Sequence, residues 1–378
     1  MITTVSITMK SFVVETAKYL HEKCGYDVTL ICDTDEQFAS SLPQYLHYIP
    51  VHMSRGVNLS GLKAIKELKK IFKKEKFDLV QYSTPNASFY ASIAAKSAKI
   101  PIRLYCQWGI RYVGFGGIKR QIFKFLEKIV CRKSTNIFAV SQLNKKFAID
   151  EKLYVEKKAK VVGNGGTIGV DMCEYNIDKK SQWRSEIRDR YNIGLEETVF
   201  GFVGRVSSNK GCVELLESFR RVIEKHKKTK LLIVGPVEEK SGIGEELFKW
   251  ARENDKIIFT GSVSNSEVKK YYSAMDVLVH PTYREGFGMV IQEAGALAVP
   301  TITTKIPGAS EVMVDNESCL LVEPRNIDDL EKALVSLCEM EYKIKELGKE
   351  AYKRTAMLYE RQIMLENQRK EYQNLLGD

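Results

Sequence analysis

The 378-residue sequence contains no apolar run approaching the roughly 20 residues that a bilayer-spanning helix needs. Nor does it begin with a charged region followed by an apolar signal core. The first absence excludes a transmembrane enzyme, and the two together lead us to expect a cytoplasmic protein. Low-complexity tracts and internal repeats are also missing, which excludes solenoids and extended disorder. The eight cysteines are scattered and no two stand at C-x2-C spacing, so neither a zinc site nor a redox pair is expected; we read them as reduced and mostly buried. The first turn lacks G-x-G-x-x-G, which removes the dinucleotide-binding dehydrogenases, and no G-x4-G-K-[ST] string offers a P-loop. Among five histidines none has an evident catalytic setting.

What is present fits two globular domains, since the chain is too long for one ordinary core. Hydrophobic content of 44% and charged content of 28% are ordinary. The charge is unevenly placed. Residues 1–165 carry 27 Lys+Arg against 13 Asp+Glu, or +14, which leaves 31 against 35, or −4, for residues 166–378. A basic half suits nucleic acid, an anionic membrane surface or a phosphorylated substrate, and charge does not choose among them. Short β-branched runs alternate with amphipathic stretches, the pattern of parallel sheets covered on both faces. In the first half we expect strands at Thr3-Ser6, Asp27-Cys32, Leu79-Tyr82, Ile102-Cys106, Asn136-Val140 and Lys160-Val162. In the second we expect Val199-Val203, Lys230-Val234, Ile257-Phe259, Val277-His280, Thr301-Thr303 and Cys319-Val322. Four glycines within Gly163-Gly169 favour a hinge there, giving domains 1–165 and 166–354. The long helical pattern from Glu339 to Leu376 is expected to pack its end, about 355–378, back on the first domain. The first strand starts almost at Met1 and is short for a central strand, from which we expect a few residues upstream.

Two segments carry chemistry. Phe200-Gly211 reads as a buried strand, a glycine-containing turn and a helix starting near Gly211. Gly204 frees the turn, and Arg205 and Lys210 stand at the carboxyl end of the strand, where open α/β sheets bind ligands. Five residues of loop let both cations reach one phosphate pair. The same stretch also reads as a solvated loop with two ordinary cations. The second segment, Val279-Glu293, is a strand, a loop and the first turns of a helix. Gly286 and Gly288 let backbone N–H groups approach a ligand, and a helix start favours an anion such as a leaving diphosphate. Glu285 is placed to accept sugar hydroxyls, and Glu293, two turns on, to take the two ribose hydroxyls. Otherwise they are a capping glutamate and a buried paired one.

These segments resemble the donor site of the retaining glycosyltransferases of family 4. The family pattern G-R-x4-K-G, then E-x7-E some eighty residues later, is matched by Gly204-Arg205, Lys210-Gly211, Glu285 and Glu293. Lesser marks are Val234-Gly235, Phe259-Thr260-Gly261, Asp276 before His280-Pro281, and Ala294-Gly295-Ala296 leading to Pro300; most of residues 160–335 aligns by pattern. The resemblance implies the GT-B fold: α/β, with two facing Rossmann-like doubly wound parallel-sheet domains and the active site in the cleft between them. It implies a catalytic set of Arg205, Lys210 and Glu285. Donor contacts are then Gly204, Gly235, Val263, Gly286, Phe287, Gly288, Met289, Val290 and Glu293. The donor is a nucleoside diphosphate sugar, expected to be UDP-linked, with no metal and no other cofactor. The first half matches through Asp78-Leu79-Val80, Thr84-Pro85 and Pro101. Where relatives carry His-Gly after the fourth strand, Trp108-Gly109 stands here, so Trp108 is offered as a sugar-stacking ring. The glycine-rich first loop of many relatives is replaced by Thr3-Lys10. On the acceptor side the candidates are Thr8, Lys10, Trp108 and Arg111, with Ser6 also possible by position.

Asp33-Thr34-Asp35 is a D-x-D string, the metal mark of a different glycosyltransferase fold, but its place at the end of the second strand reads as a turn. From Ile118 to Arg132 an apolar face (118, 122, 125, 126, 129) stands beside a ridge of Arg120, Lys124, Lys128 and Arg132, and a second basic helix is expected at Leu62-Lys74. Both suit helices covering a sheet with solvated cations outside, or docking to anionic lipid headgroups. The expected activity is transfer of a hexose or N-acetylhexosamine to a lipid-diphosphate-linked glycan in bacterial surface polysaccharide assembly, by a peripheral enzyme on the inner face of the plasma membrane. A GT-B-fold UDP-sugar epimerase or hydrolase is the enzymatic alternative. A nucleic-acid-binding protein is the other, and no aromatic-plus-basic RNA or DNA motif supports it, so nucleic acid is not an expected partner.

Overall fold

The computed structural model describes residues 1–53 and 59–378, which divide into two compact units: 1–168 with 362–378, and 169–361. The first unit holds β1 (Val28–Cys32), β2 (Leu46–Pro50), β3 (Leu79–Tyr82), β4 (Ile102–Gln107), β5 (Asn136–Ala139) and β6 (Ala159–Val161), with α1 (Ser6–Phe12), α2 (Val14–Cys24), α3 (Glu36–Ser41), α4 (Leu59–Glu75), α5 (Pro85–Ser97), α6 (Gly117–Lys133) and α7 (Gln142–Asp150). β1 pairs in parallel with β2, and β3-β4-β5-β6 form a parallel sheet. The two pieces are joined through Ile2, which bridges Ile31 on one side and Tyr82 on the other.

The strand expected at Thr3-Ser6 is therefore corrected: pairing is confined to Ile2, and α1 begins at Ser6. The cause is local. The Ser6 hydroxyl donates to Asp35 Oδ2 at 2.5 Å, while the other oxygen of Asp35 accepts the Phe38 N–H at 2.9 Å and caps α3. That cap accounts for half of the D-x-D string; Asp33 accepts the Thr34 N–H and faces His52.

α6 corrects a second expectation. Its core-facing residues are Glu127, Val130 and Cys131, whereas Ile118, Ile122 and Phe125 are solvent-exposed. Glu127 accepts from the Tyr105 hydroxyl at 2.9 Å and the Gln107 amide at 2.7 Å, so a carboxyl group stands on the inner face. Arg120 and Lys124 are not free ridge cations: both approach Glu151, at 3.5 and 2.5 Å.

The second unit holds β7 (Thr198–Val203), β8 (Thr229–Val234), β9 (Ile257–Gly261), β10 (Val277–His280), β11 (Thr301–Thr304) and β12 (Cys319–Val322) in one parallel sheet of order β12-β11-β10-β7-β8-β9. Its helices are α8 (Lys180–Arg190), α9 (Cys212–Lys225), α10 (Glu245–Glu253), α11 (Val268–Ala274), α12 (Met289–Ala296), α13 (Ile327–Glu339) and α14 (Glu341–Leu358). Two separate apolar clusters cover this sheet. One contains Phe200, Phe202, Leu231 and Ile233; the other contains Val199, Val203, Leu232 and Val234, as alternation along buried parallel strands requires.

The last helix, α15 (Arg361–Leu376), belongs to the first unit from Gln362 onward. There the Tyr372 hydroxyl bonds Gln81, the Thr16 hydroxyl reaches Gln368 at 2.9 Å and Tyr19 meets Glu366 at 3.1 Å. No helix among the described residues is long and apolar enough to cross a membrane.

Candidate functional site

In the second unit the strand order reverses between β7 and β10, which lie side by side although β8 and β9 intervene in the chain. At such a switch point the loops leaving the carboxyl ends of neighbouring strands turn apart and open a crevice. The loops concerned here are 204–211 and 281–288, the two segments singled out by sequence.

The loops are tied to each other. The Tyr283 N–H donates to Asn209 O at 3.1 Å, and Gly211, at φ +72°, lies so close that a Cβ there would stand 2.0 Å from Pro281 O. Only glycine permits that approach. The consequence is a pair: Lys210 Nζ lies 2.8 Å from Glu285 Oε2. His280, the last residue of β10, joins it with Nε2 3.0 Å from the same oxygen, and Glu285 Oε1 accepts the Gly286 N–H at 3.0 Å. Burial pushes the Glu285 carboxyl up, but His280 and Lys210 outweigh it and hold the group well below the usual carboxylate range. Burial likewise lowers His280, so its neutral ring donates through Nε2, and its Nδ1 is buried with no partner among the described residues.

Arg205 does not join this pair. Its side chain is 61% exposed and bonded to Glu238, beyond β8. Gly204 follows β7 and donates to Val234 O at 2.9 Å, and Gly235 donates to Gly261 O at 2.9 Å, so the strand ends are stitched together beneath the crevice. Val263 follows β9 and is half-buried against the second apolar cluster. Phe287 is buried edge-on to Tyr359, Gly288 precedes α12 in the left-handed conformation, and Met289 and Val290 form its first turn, half-buried.

Glu293 lies on α12, where the Tyr272 hydroxyl donates to it at 2.7 Å and Tyr175 also bonds it. Burial pushes its carboxyl up to about 7, against the pull of the two tyrosines. Thus one carboxylate of the pair is held ionised and the other titrates near neutrality.

Several contributors escaped the sequence reading. Tyr272 and Tyr175 look like core aromatics in sequence. His280 carried a signal, since it ends a strand whose other residues are apolar and wholly buried. Gly308, at φ +86°, would place a Cβ 2.2 Å from Gly286 O and so supports the turn below Glu285.

The acceptor-side candidates lie in the first unit. Thr8 is half-buried and Lys10 exposed, both on α1. The Trp108 ring packs 5.5 Å from Phe12, tilted 48°, among buried neighbours, so the ring offered for sugar stacking has a protein partner. Arg111 is exposed, with its guanidinium 4.5 Å above Phe123. The reversal of strand order in this unit falls between Ile2 and β3. There Thr4 and Thr84 hydroxyls meet at 2.8 Å, and Thr84 adopts φ +68°, a strained setting for a threonine.

Comparison with known proteins follows the same two halves. The family model described as "Glycosyl transferases group 1" matches residues 184–354, and "Glycosyl transferase 4-like" matches residues 2–141. The capsular polysaccharide biosynthesis glycosyltransferase CapM of Staphylococcus aureus is 30% identical over 363 residues, 96% of this chain and 93% of that protein. The UDP-Gal:alpha-D-GlcNAc-diphosphoundecaprenol alpha-1,3-galactosyltransferase of Escherichia coli is 25% identical over 83% of this chain and 80% of its own length. A glycosyltransferase crystal structure from Rickettsia africae ESF-5 superposes with a TM-score of 0.81 at 20% identity, over 100% of this chain and 97% of that one.

Proposed function

Because the chain belongs to the group 1, family 4-like glycosyltransferases with the GT-B fold, we propose that it moves a hexose or N-acetylhexosamine from a UDP-sugar to a glycan borne on a lipid diphosphate. The setting we propose is the assembly of a bacterial surface polysaccharide, in keeping with the names of the staphylococcal and Escherichia coli relatives. The observation that carries the reading is the Lys210-Glu285-His280 array at the switch point of the second sheet.

In this proposal the diphosphate meets Lys210, Arg205 and the amides of the 286–289 turn. Each cation starts out paired with a carboxylate, Lys210 with Glu285 and Arg205 with Glu238. An incoming diphosphate competes for both cations, and Glu285 is released to accept the sugar hydroxyls. Glu293 takes the ribose. The bond from the anomeric carbon to the phosphate oxygen breaks as the acceptor oxygen bonds on the same face, and the acceptor proton passes to the departing phosphate. The anomeric configuration is retained, and catalysis resides in stabilising the leaving group through preorganised donors.

The test is mass spectrometry of products formed from several UDP-sugars and extracted lipid-linked acceptors. Lys210→Ala and Arg205→Ala are each expected to lower turnover by ~10²–10³-fold, the scale of losing one such donor. Near-wild-type turnover in both variants would sink the proposal.

A further inference from the structure

Tyr283, in the turn after β10, is held at both ends by the stretch that carries Lys210. Its N–H donates to Asn209 O at 3.1 Å, one residue before the lysine. Its hydroxyl donates to Glu214 Oε1, four residues after the lysine, in the first turn of α9. Burial, with the Glu214 carboxyl adding to it, raises the phenol and keeps it protonated, so the tyrosine is the donor. Glu214 is 9% exposed, and its other oxygen, Oε2, is buried with no partner among the described residues. The Tyr283 hydroxyl is thus the group among them that compensates this carboxyl for leaving water. Arg325, between β12 and α13, covers the ring. Its guanidinium stands 4.6 Å from the ring centre, on a backbone at φ +62°, which L residues rarely adopt. The turn that bears the lysine, Ser208–Lys210, buries none of its own residues, so its place is set from outside.

We propose that Tyr283 is a positioning residue for Lys210: clasping the lysine turn on both sides, it fixes where the ammonium stands when a diphosphate takes the place of Glu285. The diphosphate in this role is the one in the proposed function, on which the inference rests. The Lys210-Glu285 pair aims the lysine in the free protein, but it is the contact that the ligand displaces. The bonds of Tyr283 to Asn209 and Glu214 lie to either side of the lysine and survive that exchange. What they supply is preorganisation, since a turn already in place gives up no further backbone freedom when the ligand arrives. Tyr283 touches no reacting group in this scheme and acts through Lys210 alone.

The experiment is titration calorimetry of the full chain with UDP, whose diphosphate is the group that Lys210 is proposed to meet, run beside thermal melts. Lys210→Ala and Tyr283→Phe are each expected to weaken binding by about tenfold, the scale of one hydrogen bond to a charged group. In the Lys210→Ala background Tyr283→Phe should add less than about twofold, because a group that acts through the lysine has nothing left to position. Tyr283→Phe also leaves Glu214 buried without a donor and is expected to melt at a lower temperature than wild type. Tyr283→Phe with Glu214→Leu makes both partners apolar, and should recover the melting temperature while UDP binding stays weak. A bond that serves stability alone gives the reverse: binding returns with the melting temperature, and the losses multiply in the Lys210→Ala background. Either result overturns the inference. A weakened Lys210→Ala beside an unchanged Tyr283→Phe refutes this inference and spares the proposed function. Wild-type affinity in Lys210→Ala, or no UDP binding by wild type, refutes the proposed function and takes the positioning role with it.

Discussion

Glu293 combines burial with a titration point near neutrality. Its folded value, about 7, lies above the ordinary 4.5, so the folded state binds the extra proton between those limits. Stability therefore falls as pH rises from about 4.5 through about 7, and above that range the full cost of burying the charge remains. Glu174 adds to that cost, and Tyr272, Tyr175 and Arg361 offset part of it. Glu293→Gln is expected to unfold at a higher temperature than wild type at pH 8, with the difference vanishing near pH 5, in paired thermal melts. Under the proposed function the same variant binds the donor more weakly, by ~10-fold or more in titration calorimetry with UDP, because an acceptor of ribose hydroxyls is replaced. Gly308→Ala tests the support beneath Glu285: a methyl group 2.2 Å from Gly286 O must displace the turn. Donor KM is expected to rise several-fold, with a loss of stability of at least ~1–3 kcal/mol from the strained backbone. Lys210 and Glu285, which the structure brings together, were legible as neighbours because charge and spacing single them out; Arg205, turned to Glu238, does not join them. Tyr272 and Tyr175 were not legible, since nothing distinguishes an orienting tyrosine from a packing one until its hydroxyl has a partner.

At the level of elements, β10 is fixed from outside the sheet. Asp276, immediately before it, meets Arg184 at 2.6 Å and Arg188 at 2.8 Å, and accepts the Val199 N–H of β7 at 2.7 Å. Arg188 is only 1% exposed, so removing its partner strands a charge in the interior. Asp276→Ala is expected to cost ~3–5 kcal/mol in urea unfolding, the range for one broken half of a buried pair. The strands of the second sheet were easy to read because they are apolar on both faces. β2 was missed because Leu46–Pro50 is a half-exposed edge strand containing His47 and Tyr48. The inner face of α6 was left open by the sequence for a related reason. Apolar spacing favoured 118, 122 and 125, and no pattern rule anticipates a buried Glu127 satisfied by Tyr105 and Gln107.

Across the whole molecule, the alternation of strands and helices made the α/β class legible, because a parallel crossover is usually built with a helix; here only the β11–β12 connection among the described residues of the second sheet lacks one. The first-unit candidates were less so: α1 replaces the expected strand, and Trp108 is engaged by Phe12. α15 gives a further test. Its face toward the first unit includes Tyr372, with Leu20, Leu104 and Cys106 as buried neighbours. A chain cut after Arg361 loses that cover together with the Thr16 and Tyr19 bonds. Limited proteolysis is expected to digest the first unit of this truncated chain while sparing residues 169–361. The same arrangement has a bearing on biosynthesis. The first unit draws its closing piece from residues 362–378, so all of the second unit must be translated before the first has every part it needs. On a ribosome the later segment is thus able to fold while the earlier, strongly cationic one still waits, open to chaperones and to any polyanion nearby.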